Sequence, residues 1–192
     1  MARHWNPRRR RFLEMAAAAA AGGAMISCSG SRSPWRFLTP AEAEIAGAVC
    51  DRLIPNDEFQ GALWAGAVRF IDLQLYGHFR QHRSLYRQGL QALDRVSREV
   101  YASPFATLPA PRQVELLKAV EAGTAAAPQW PAAAQSQFFR TILTHTMESY
   151  YGDPRHGGNR DGVGYRSIGL STTPTRGRSR HDIQQAPGPR TL

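Results

Sequence analysis

Phe138, Phe139, Ile142, Leu143, Thr146, Met147 and Tyr150 fall in adjacent pairs every four residues, and no other feature constrains the chain as strongly. At 3.6 residues per turn they share one face of a helix, and such a face has to be buried against neighbouring elements. Gly152 supplies a stop and Pro154 prevents the helix from resuming. The spacing therefore predicts a long, core-facing helix that ends just before a glycine-rich stretch.

The rest of the body reads the same way. In "FLTPAEAEIAGAVCDRLIP", Thr39 can cap, Pro40 suits the first helical position and Glu42 completes a capping box. Ile45, Val49 and Leu53 follow on one face with Ala46 and Cys50 beside them, and Pro55 ends the run. A lone cysteine on that face is expected to be a buried, inert thiol. "GALWAGAVRFIDLQLYG" carries Trp64, Val68, Ile71 and Leu75 as a second stripe closed by Gly77. Residues 83–101 carry Tyr86, Leu90, Leu93 and Val100, and a shorter helix after Pro109 and Pro111 carries Val114, Leu117 and Val120. The alanine-rich stretch 122–134, with Pro128 and Pro131, reads as a loop. No segment alternates with period two. The expected fold is all-α, an irregular bundle of about five helices followed by a Gly-rich loop and a disordered tail over 171–192.

The ends account for most of the charge. The chain of 192 residues has a net charge of +9, yet residues 1–27 hold five arginines against Glu14, and the tail holds four against Asp182. Between Cys28 and Leu170 there are 15 basic and 13 acidic residues, too even a balance to predict a concentrated footprint for nucleic-acid phosphates. Arg8 to Arg11 are followed by Met15 to Ile26, almost purely small or apolar. As a helix those twelve residues reach roughly 18 Å, short of a bilayer core, so they read as a signal-type apolar region. Arg9 and Arg10, then Arg11, Phe12 and Leu13, match the twin-arginine export pattern; an ordinary secretory signal with extra arginines is the plainer alternative. Met25–Ile26–Ser27–Cys28 resembles a lipoprotein processing site, which makes Cys28 a candidate for lipidation; a signal-peptidase cut nearby is the other reading. The expected organisation is a signal over 1–27, a linker over 28–38, a helical domain over 39–170 and the tail.

Candidate chemistry concentrates in "SYYGDPRHGGNRDGVGYRSIGL". His145 and Glu148, with His156 nearby, are the residues a stand-alone metal-dependent enzyme would use, but no second Glu-x-x-His pair or His-Glu-x-x-His motif accompanies them. Asp153, Asn159 and Asp161 supply oxygens without the terminal glutamate of a calcium loop. No phosphate loop, dinucleotide fingerprint, Cys-x-x-Cys-His or nucleophile elbow is present, so no catalytic, cofactor-binding or metal residue is expected on this chain. Glycines that permit close approach, directional groups on Asn159, Arg160 and Asp161, and tyrosines beside them fit an interface. A self-contained loop packed on its own bundle is the alternative.

"FLTPAEAEIAGAVCDRLIP", "GALWAGAVRFIDLQL" and especially "FFRTILTHTMESYYGDPRHGGNRDGVGYRSIGL" resemble the gluconate 2-dehydrogenase subunit 3 family, small subunits of bacterial membrane-bound FAD-dependent sugar and sugar-acid dehydrogenases. The likeness covers about residues 36–170, with Tyr165 where members often have tryptophan. It implies a non-catalytic chain whose partner is an FAD-carrying large subunit of the glucose–methanol–choline type, often joined by a multihaem cytochrome c subunit. It also implies that the twin-arginine machinery exports the folded, flavin-loaded partner together with this chain, to the periplasmic side of the inner membrane. Tyr151, Asp153, Gly157, Gly158, Asn159, Arg160, Asp161 and Gly162 are then the expected docking residues. A lipid-tethered structural protein without such a partner is the third reading.

Overall fold

The computed structural model describes residues 33–170. Arg9, Arg10, Phe12 and Leu13 of the export pattern, Cys28 and the tail 171–192 lie outside the described residues. Seven α-helices and four short 3-10 turns make up the described chain, with no strand among these residues. The helices are α1 (Pro40–Leu53), α2 (Ala62–Ala65), α3 (Ala67–Tyr76), α4 (Arg83–Tyr101), α5 (Ala110–Ala122), α6 (Ala132–Tyr151) and α7 (Val163–Ser167). None is long and apolar enough to cross a membrane.

The helix with the strongest pattern organises the rest: α6 packs against each of the other six. Phe138 and Ile142 are fully buried, and Phe139 and Tyr150 nearly so, whereas Met147 lies at the edge of the stripe and is exposed. Helix α1 begins as its residues dictate. Thr39 Oγ1 accepts from the Glu42 N–H, the Glu42 carboxylate accepts from the Thr39 N–H, and Pro40 takes the first turn. Cys50 is fully buried, its sulfur 3.4 Å from Thr146 Oγ1, and burial pushes its thiol up to about 11, so it stays protonated and unreactive.

Three expectations need revision. The stretch read as one helix over 61–77 is broken at Gly66, whose φ of +92° ends α2 and starts α3. The stripe that predicted continuity is still buried at Val68, Ile71 and Leu75, since a change of direction moves Trp64 without unburying the rest. Val100 is exposed because the chain turns back at Ala102, and Phe105 from the following 3-10 turn fills the core instead. The linker, finally, belongs in part to the domain. Asp72 on α3 is 2 % exposed, and its carboxylate accepts from the N–H groups of Arg36, Phe37 and Leu38 at 2.7, 2.9 and 2.9 Å. A buried carboxylate needs donors, and these three supply them.

Candidate docking site

The glycine-rich stretch is folded back on α6 and closed by one side chain. Asn159 is fully buried in a left-handed conformation, which asparagine tolerates better than most residues. Its Nδ2 donates to the Gly152 carbonyl at 2.7 Å, and its Oδ1 accepts from the Gly164 N–H at 2.8 Å. The amide thus joins the end of α6 to the second residue of α7. Gly158 and Gly164 make this closure possible: a β-carbon on either would overlap a carbonyl oxygen of α6, that of Ser149 or Tyr150. Tyr150 adds a further tie, donating from its hydroxyl to the Gln60 carbonyl at 2.9 Å ahead of α2.

The expected docking residues therefore divide in two. Gly158, Asn159 and Gly162 are buried in the chain's own packing and offer nothing to a partner; Tyr151, Asp153 and Gly157 are half-buried. Asp153 accepts from the Arg155 N–H at 2.9 Å and pairs with its guanidinium at 2.6 Å, which holds the carboxyl down at about 2. Arg160 and Asp161 are exposed. The Arg160 guanidinium lies 5.2 Å from the centre of the Trp64 ring, and Arg166 donates to the Asp161 carbonyl. The self-contained loop thus accounts for the buried residues, while Arg160 and Asp161 remain on the surface.

Arg160 reaches the rim of a cleft of about 390 Å³ that sequence reading did not anticipate. Trp35, Ala43, Leu63, Val68 and Arg69 line it, bringing together the N-terminal segment, α1 and the α2–α3 break. Leu63 is 48 % exposed. With Ala43 and Glu44 it also borders a hollow of about 580 Å³ that continues past Gly47 and Asp51 to residues 106–110. The two form a groove along α1 with a floor of small side chains, exposed Glu44 where they meet, and Arg69 and Arg160 at the loop end. Such a surface can seat a protruding apolar side chain and pair with acids around it. Trp64 gave a sequence signal as part of an apolar stripe; Leu63 did not, since exposure of a leucine depends on where a helix breaks.

The residues of the metal alternative do not converge. His145 is 5 % exposed and faces the core, its Nδ1 2.9 Å from the Tyr86 hydroxyl and its ring stacked on Phe79 at 3.9 Å. Burial, with a smaller contribution from His82, lowers it to about 4, so it is neutral near pH 7. Glu148 and His156 are exposed instead. No three His, Cys, Asp or Glu side chains among the described residues stand close enough to hold a metal ion.

Fold and site define a small all-α domain, closed by a clasped glycine-rich loop that presents an arginine beside a surface groove. The chain belongs to the gluconate 2-dehydrogenase subunit 3 family, whose model matches residues 40–171. No curated protein and no solved structure matches it.

Proposed function

We propose that the chain is the non-catalytic small subunit of a bacterial FAD-dependent dehydrogenase of the glucose–methanol–choline type. It docks to the flavoprotein large subunit and supports its maturation and twin-arginine export, with a cytochrome c as a further partner where one is present. Family membership supports a place in a multi-subunit dehydrogenase. The observation that carries the docking reading is the Arg160 rim. The chain buries Asn159 and two glycines to hold this loop in place, and Arg160 then stands exposed beside Leu63 and Arg69. An exposed leucine flanked by arginines is the composition of an interface centre and its rim.

In this reading the large subunit seats an apolar side chain on Leu63 and places acids against Arg69 and Arg160. FAD and the substrate pocket belong to that partner, and this chain contributes the export address and the scaffold. Co-expression with the large subunit tests the surface. Leu63→Asp combined with Arg160→Glu is expected to lower the flavin recovered per tagged chain at least about tenfold, the usual cost of losing an interface anchor. The melting temperature should stay within a few degrees, because neither side chain is buried. Unchanged flavin recovery from a folded double variant would place the interface elsewhere.

A further inference from the structure

The near-neutral body conceals a local concentration of charge at the C-terminal end of α3. Arg83 on α4 donates to the Leu75 and Tyr76 carbonyls at 2.7 and 2.9 Å, and its guanidinium lies 5.3 Å from the Phe37 ring and 5.8 Å from the Tyr76 ring. Arg87, one turn further on, has its guanidinium 4.9 Å from the centre of the same Phe37 ring and donates to the Phe37 carbonyl at 3.3 Å. Arg36 lies 5.7 Å from the Tyr76 ring. Arg80, exposed, precedes Arg83 in the adjoining 3-10 turn.

Two acids beside this group, Asp72 and Glu42, are turned inward. Asp72 is consumed by three backbone N–H groups, and Glu42, 4 % exposed, caps α1 and lies 3.7 Å from Arg87. Among the described residues Arg36, Arg80 and Arg83 have no carboxylate within 4.0 Å. Tyr76 stands among these arginines, 56 % exposed. It is the one large exposed side chain with apolar area in this group, and every other member is an arginine.

We propose that the face formed by Arg36, Tyr76, Arg80, Arg83 and Arg87 rests on an anionic phospholipid surface. Delocalised guanidinium groups held over aromatic rings are weakly hydrated and keep their outer N–H donors for phosphate oxygens. A tyrosine ring of this exposure suits the headgroup region, where aromatic side chains collect. The covalent order of the chain favours a membrane over an acidic protein. Asp72 pins residues 36–38 beside this patch, and Cys28, the candidate for lipidation, precedes them by only a few residues in the sequence. The proposal is independent of the flavoprotein reading.

Flotation of the full chain with phosphatidylcholine vesicles, and with vesicles containing roughly one third phosphatidylglycerol, tests it. At low salt the anionic vesicles are expected to bind at least about tenfold more tightly, and the preference should shrink as salt is raised. Arg36→Gln with Arg80→Gln alters two exposed side chains and spares the carbonyl bonds of Arg83. It should remove about tenfold of the preference and leave binding to neutral vesicles unchanged, while Arg140→Gln on α6 changes neither. Equal binding to both vesicle types overturns the proposal. So does an intact anionic preference in the double variant, or a loss of a co-purifying acidic protein from that variant in place of vesicle binding. Circular dichroism of each variant separates these outcomes from misfolding.

Discussion

Asn159 is the residue on which the loop depends, and its two bonds make separate predictions. Asn159→Ala leaves the buried Gly164 N–H and the Gly152 carbonyl without partners and places alanine in a left-handed conformation. It should cost about 2–4 kcal/mol in urea unfolding. Asn159→Asp keeps the acceptor and loses the donor, so it should fall between the two; an alanine variant as stable as the parent would contradict the clasp. His145 makes a prediction in pH. In the unfolded chain it takes up a proton near 6.5, and in the folded chain only at about 4. Between those values the unfolded state binds more protons, so the stabilisation is full above about pH 6.5 and is lost as pH falls towards about 4. Unfolding at pH 7 and pH 5 should differ by about 2 kcal/mol more in the parent than in His145→Gln. Equal pH dependence in the two proteins would mean that His145 is solvated.

At the scale of elements, Asp72 ties the segment before α1 to helix α3 through three hydrogen bonds, and removing the carboxylate frees three N–H groups at once. Asp72→Ala should cost about 2–4 kcal/mol, with Asp72→Asn nearer half of that, and amide exchange at residues 36–38 should rise first. Exchange that stays slow there in the alanine variant would contradict the anchoring. The elements themselves were legible where period and punctuation agreed: the capping box of α1 stands where the residues put it, as does the paired stripe of α6 apart from Met147, whereas the loop expected over 122–134 is shorter, because α5 runs through Ala122 and α6 already begins at Ala132. The break at Gly66 was not, because a stripe keeps its spacing through a single left-handed residue and glycine is tolerated within helices. Asp72 did leave a trace, a carboxylate between Ile71 and Leu73 in a buried helix, but its donors lie more than thirty residues away. The same limit applies to the site. The sequence marked the glycine-rich stretch as special, yet which of its residues face inward depends on where Ser149 and Tyr150 present their carbonyls.

For the whole molecule, the division of labour is the central claim. The described chain spends its concentrated motif on closing its own fold, turns Arg160 and Leu63 outward and gathers no metal set among the described residues. In the proposed reading such a chain acts through the flavoprotein it docks to. The most direct measurement is native mass spectrometry of the complex isolated from the envelope fraction through a C-terminal tag on this chain, with the bound flavin quantified in parallel. An assembly with one large flavoprotein per copy of this chain and one flavin per flavoprotein is expected. A monodisperse, well-folded chain recovered alone and without flavin would contradict it.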